Sequence, residues 1–278
     1  MAAILALTAA AAYGIGDFLG GMASRREPST AVVLWSHVVG LLVLAVAAPI
    51  VGGDLTPEAL ATGAAAGLIG GAGVAVFYLG LSLGAMSVVA PIAALLSAAV
   101  PVVAGIGTGE RPAAPAIVGI GLALLAVTLV SREPASGHPA PGIGLRPVAL
   151  AIAAGLAFGL FFVALDHAGT EVGIWPLVGA RMASVSLFAA LGAARVTAAS
   201  PPRAAAGAAI GAGVLDATAN VCYVLALSHG LLSVVAVLTA LYPAGTVLLA
   251  RYVLGERLGR VQQTGLAVAG LAAVLIAS

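Results

Sequence analysis

Turn residues or charges interrupt this sequence about every twenty residues, and the stretches between them are almost wholly apolar. A helix of roughly 20 apolar residues matches the hydrocarbon thickness of a bilayer. With 62% of residues apolar and 8% charged, against roughly 25% charged in an average soluble domain, the chain lacks the polar surface to cover a water-soluble globule. Lipid is therefore the expected solvent. Ten spans follow, at 2–22, 31–51, 60–81, 86–106, 115–131, 146–165, 174–192, 205–226, 232–252 and 261–277. The longest polar interval, SREPASGHPAPGIGLRP from Ser131 to Pro147, is rich in Pro and Gly and suits a linker. It divides the chain into a first five-helix unit at 1–131, a linker at 132–145 and a second unit at 146–278.

The two units resemble each other. FYLGLSLGAMSVVA (Phe77 to Ala90) aligns without gaps to YVLALSHGLLSVVA (Tyr223 to Ala236), and the same offset puts Gly109-Glu110-Arg111 on Gly255-Glu256-Arg257 and Gly119 on Gly265. Five spans per unit is an odd number. If all cross, the second unit enters the membrane upside down relative to the first, giving an inverted-topology repeat. The expected fold class is all-α integral membrane, ten transmembrane helices as two inverted five-helix repeats.

Charge adds exclusions and an orientation. The net charge of +1 comes from eleven Arg, with no Lys, against ten acids, and no basic run exceeds two residues. Nucleic acid is thus not an expected partner. The single cysteine, Cys222, excludes an intramolecular disulfide. No basic residue precedes the first apolar run, so it is expected to be retained as a span rather than cleaved as a leader. Loops after odd-numbered spans carry Arg25, Arg26, Arg132, Arg146, Arg195, Arg203, Arg251, Arg257 and Arg260, whereas the opposite side has only Arg111. The positive-inside rule then puts both termini outside.

The endings GERP and GERL, each followed by a Gly-punctuated last helix, resemble the EamA-type repeat of the drug/metabolite transporter superfamily. So do SVVAPIAALLSAAVPVVAGIGTGERP, the opening helices AAYGIGDFLGG and LAFGLFFVAL, and the WPLVGARMASV segment with Pro176 and Arg181. The resemblance covers the whole chain. It implies a ten-helix exporter of amino acids or other metabolites with a cavity lined by spans 1–4 and 6–9. It also implies cytoplasmic termini, opposite to the arginine count. His37 fills in the first unit the place of Arg181, so the two sides of a cavity would be chemically unequal.

Ionisable groups within spans cost roughly 2.5–3.5 kcal/mol on insertion scales and normally face a cavity or a partner. Asp17, His37, Arg181 and Asp216 are the candidates. Arg181 suits a substrate carboxylate by bidentate contact or a permanent pairing with Asp216 or Asp17. Asp216 and Asp17 suit proton coupling, although Asp17 reads more simply as an ion-paired or snorkelled residue near a helix end. His37 suits a proton shuttle or plain hydrogen-bonded packing. Asn220 and Tyr223 follow Asp216 at helical spacing and share its face. Tyr78 adjoins Phe77, the repeat equivalent of Tyr223, and Tyr13 and Tyr242 are further aromatic candidates. Trp35 and Trp175, near span starts, read as interface anchors. Pro91, Pro101 and Pro243 remove hydrogen bonds within spans 4 and 9, which suits gating bends or static kinks.

Motifs of soluble enzymes and of ATP-driven pumps are missing: the sequence has no GxSxG, HExxH, CxxC or P-loop. We therefore expect no enzyme activity, no cofactor and no metal. The expected function is a secondary transporter, an exporter of amino acids or similar small metabolites working by alternating access in the inner membrane. The expected partners are a small-molecule substrate and the lipid bilayer, and a monomer is expected. An integral-membrane enzyme acting on lipid and a non-transporting scaffold or channel subunit are the alternatives.

Overall fold

The computed structural model describes residues 1–83, 86–130, 145–245 and 259–277. Its helices in chain order are α1 (Ala2–Ser24), α2 (Ser29–Val51), α3 (Pro57–Ser82), α4 (Met86–Gly107), α5 (Ala114–Val130), α6 (Leu145–His167), α7 (Trp175–Ala193), α8 (Ala206–Leu227), α9 (Leu232–Thr239) and α10 (Arg260–Ala277). Among the described residues the regular structure is all helical. Seven of these helices, α1–α4 and α6–α8, are long and apolar enough to cross a membrane; α5, α9 and α10 are apolar but shorter in their apolar runs. Residues 131–144, which hold all of the expected linker at 132–145 but its last residue, and the segment 246–258, with Arg251, Gly255, Glu256 and Arg257, lie outside the described residues.

Caps explain several of the helix ends. Thr56 Oγ accepts from Ala59 N at 3.1 Å, Pro57 takes the first turn, and Glu58 places negative charge at the start of α3. Between α2 and α3, Gly52 and Gly53 hold φ of 85° and 100°. That turn lies backbone to backbone against the α6–α7 connection, where Asp54 N donates to Glu171 O at 2.9 Å. A Cβ at Gly53 would strike the backbone of Val172 and Gly173.

The ninth span, expected over 232–252, is described as far as residue 245 and is broken where the sequence places Pro243. α9 stops at Thr239, turns through Ala240 and Leu241, and is helical again at 242–245. Pro243 accounts for the break, because it has no N–H to donate to the Thr239 carbonyl four residues back, and its ring crowds that carbonyl. Pro91 and Pro101, by contrast, lie inside an uninterrupted α4.

Connections group by parity. The loops after α1 and α7 meet on one face, where Glu27 Oε1 accepts from Ala204 N at 3.1 Å and Arg26 lies near Arg203. On the opposite face the loop after α2 meets the loop after α6, and the loop after α4 meets the start of α9. Ala2 packs there too, against Gly230.

α2 and α7 run antiparallel, as do α5 and α10, and each pair exchanges contacts. Trp35 of α2 donates its indole N–H to Ala199 O beyond α7 at 3.0 Å, and Trp175 of α7 donates to Gly53 O beyond α2 at 3.2 Å. A Cβ on Gly119 of α5 would meet Ile276 of α10, and one on Gly265 of α10 would meet Val130 of α5. Val130 and Ile276 are themselves equivalents by the offset that pairs Gly119 with Gly265. The same exchange holds between units: α1 packs on α8 as α6 packs on α3, and α2 on α8 as α7 on α3. The close approaches rely on small residues, since side chains at Gly63 and Gly67 of α3 would collide with the backbone at Pro176 and Ala180 of α7.

Candidate functional site

Where α1, α3, α4, α6, α7 and α8 converge they line a partly open cavity of about 50 Å³. Asp17, Arg181, Asp216 and Asn220 all line it, together with Tyr13 and Tyr242. Facing them are Val74, Phe158, Phe161, Phe162 and the Gly67–Gly71 stretch of α3.

The two walls are repeat equivalents of each other. By the Phe77–Tyr223 offset, Asp216 corresponds to Gly70 and Asn220 to Val74. Matching AYGIGD (Ala12 to Asp17) with AFGLFF (Ala157 to Phe162) puts Tyr13 on Phe158 and Asp17 on Phe162. The packing agrees with this register, because a Cβ at Gly16 would touch the turn at Leu215 and Asp216, and one at Gly70 would touch Phe161, the equivalent of Gly16. The cavity is thus lined by repeat-equivalent positions of both units. One wall is polar and charged, and the other is aromatic and aliphatic.

Arg181 and Asp216 form an ion pair, Arg181 Nη2 donating to Asp216 Oδ2, with side-chain exposures of 8% and 21%. Of the two roles read for Arg181, the geometry has the pairing in place. Arg181 fits because Gly40 of α2 faces it without a side chain; a Cβ there would lie 3.4 Å from its Nε. Asn220 Nδ2 donates to Asp216 O at 2.8 Å, while its Oδ1 is buried with no hydrogen-bond partner. Asp17 is neither snorkelled nor ion-paired among the described residues: it lines the cavity, and the described ion pair is Arg181–Asp216.

The remaining candidates stand outside the cavity lining. His37 Nδ1 shares a hydrogen bond of 2.9 Å with Ser184 Oγ, and its Nε2 is buried without a partner. Its contact with Ser184 mirrors that of Arg181 with Gly40, which supports reading His37 and Arg181 as equivalents. Tyr223 is fully buried and stacks on Phe162 with ring centroids 4.3 Å apart, its hydroxyl unpartnered. Tyr78 is 3% exposed and packs its ring on Gly20. Both tyrosines back the cavity rather than face it. Pro101 and Pro91 are in α4, which reaches the cavity through Ser97, and Pro243 follows Tyr242 at the break in α9. Phe158, Phe161 and Phe162 did not emerge from the sequence reading. Aligning the two opening helices residue by residue would have found them.

One contact joins the units at the membrane face. Glu110, from the first GER motif, accepts from Leu232 N at 2.6 Å and Ser233 N at 3.0 Å, capping α9 where Leu231 offers no side-chain cap.

A bundle that is all helical among the described residues, with seven helices long and apolar enough to cross a membrane, defines a multi-pass membrane protein. Residues 1–132 and 145–278 each match the EamA-like transporter family, and the chain belongs to that family, as a two-repeat member of the drug/metabolite transporter type. No curated protein matches the sequence. Among solved structures, one described as "Crystal structure of protein" is similar with a TM-score of 0.79 and 16% identity, over 99% of this chain and 95% of that one. At that identity the likeness concerns the fold alone.

Proposed function

We propose that this chain is a secondary transporter of the inner membrane, exporting amino acids or similarly small metabolites by alternating access between its two units. The observation that carries the reading is the charged cavity lined by equivalent positions of the two units, which we take to be inverted relative to one another. If each unit can take either of two packings, exchanging them moves the opening of a central site from one face to the other. All ten helices cross the membrane in this proposal, with α5 and α10 packed on each other beside the four-helix sets. The face bearing Arg25, Arg26 and Arg203 is cytoplasmic by the positive-inside rule, and the N-terminus beside Gly230 lies outside. Arg181, Asp216, Asn220 and Asp17 contact the solute or couple its movement, and the break at Pro243 serves as a bend for α9. Reconstitution into proteoliposomes tests this directly. Saturable exchange of a labelled metabolite that disappears in Asp216→Leu at equal protein content is expected, and leakage equal to that of empty liposomes for every metabolite offered would defeat it.

A further inference from the structure

A second cavity, of about 300 Å³, opens at the membrane face where α1 ends and α8 begins. The first unit lines it with Met22, Ala23 and Arg26, and the second with Arg203 and the run 204–208. Both arginines are exposed, and among the described residues neither has an acid partner, the ion pair there being Arg181–Asp216. Glu27, beside Arg26 in the chain, is turned instead onto the Ala204 N–H at 3.1 Å, and no acid lines the cavity. Two guanidinium groups from different units therefore share one space without a counter-charge. Like charges so placed repel, and an anion between them relieves the repulsion. The planar fork of Arg suits a phosphate by bidentate contact.

The walls around the arginines separate a membrane lipid from a free phosphate. Met22 precedes Arg26 by four residues and Ile210 follows Ala206 by four, which sets both one turn deeper toward the bilayer interior. They are 37% and 51% exposed, apolar surface that a free anion has no use for and an acyl chain covers. The run 204–208 is Ala and Gly throughout, and a Cβ at Gly207 would meet nothing, so small side chains leave the mouth open.

We infer that this cavity holds the phosphate of an anionic phospholipid between Arg26 and Arg203, with its acyl chains running along the α1–α8 seam past Met22 and Ile210. The lipid bridges the two units at the face where Glu27 already joins them.

Thermal unfolding of the purified protein in an uncharged detergent, titrated with dioleoyl phosphatidylglycerol or dioleoyl phosphatidylcholine, tests the inference. The midpoint should rise half-maximally at a roughly thirtyfold lower mole fraction of phosphatidylglycerol, each arginine supplying a factor of about five. Arg26→Gln and Arg203→Gln should each reduce that preference about fivefold, and the double change should abolish it. Arg260→Gln, at the exposed start of α10 and outside the cavity lining, should leave it intact. Glycerol 1-phosphate, which has the phosphate without the chains, should not move the midpoint at the concentrations where the lipid does. If the double variant does not fold, the two lipids on the wild type and the Arg260→Gln control still decide. Equal response to both lipids, a preference kept in the folded double variant, an equal loss in Arg260→Gln, or a matching response to glycerol 1-phosphate would each overturn the lipid site.

Discussion

Replacing Glu110 with Ala removes the acceptors for two backbone N–H groups at the start of α9, and the chain offers no side-chain substitute there. Hydrogen bonds to a charged group contribute roughly 1.5–3 kcal/mol each, and the part-buried position of Glu110 puts the sum of the two at the low end, about 3–4 kcal/mol. For a chain of this size that corresponds to a fall in the unfolding midpoint of about 5–10 °C, measured by thermal unfolding in detergent. Gly105 of α4 supplies an internal control. A Cβ on it would occupy the site of the Glu110 carboxylate, so Gly105→Ala should destabilise the wild type by dislodging the cap. In the Glu110→Ala background that clash is gone, and the same change should stabilise by about 0.5–1 kcal/mol through ordinary helix propensity. The reversal of sign between backgrounds is the signature of a shared interaction. An unchanged midpoint in Glu110→Ala, or a stabilising Gly105→Ala in both backgrounds, would refute the capping argument.

Other outcomes follow from the same geometry. Arg181→Leu and Asp216→Leu should each lower stability by about 3–5 kcal/mol, because each strands a buried charge, and the double change should recover most of that loss in the same unfolding assay. Gly67→Val should abolish accumulation of folded protein, seen as loss of the monodisperse peak in size-exclusion chromatography, since the added side chain meets the Ala180 backbone. Pro243→Ala restores a donor for the Thr239 carbonyl; the folded yield should hold while exchange rates in proteoliposomes fall if the break is a bend in use. A reporter active only in the cytoplasm should be active in the loop bearing Arg25 and Arg26 and silent when fused before Met1.

Helix positions were legible because the hydrocarbon layer imposes one length on every span, and observed ends of α1–α8 fall within a few residues of the apolar limits. Arg181, Asp216 and Asn220 were legible for a related reason: a polar group mid-span needs a partner or a cavity. Asp17 was read as snorkelled because it lies well along α1, and only packing against α8 shows that this level of the helix faces the interior. Tyr223 and Tyr78 share a helix face with cavity residues but are turned onto Phe162 and Gly20, a distinction that spacing cannot make. The stop at Thr239 was visible as a proline, yet α4 carries Pro91 and Pro101 without stopping. What separates these cases is tertiary support for the freed carbonyls, which no local signal reports. Glu110 was seen as a family signature, and its contact lies 122 positions away.

The central claim is that the cavity between the antiparallel units is a transport site, and counterflow in proteoliposomes tests it most directly. Vesicles loaded with an excess of unlabelled amino acids should take up a trace of at least one labelled amino acid from the same panel transiently above equilibrium, and Asp216→Leu vesicles with equal protein content should not. Tracer entry in wild-type vesicles indistinguishable from empty liposomes, for every labelled amino acid in the panel, would contradict the account.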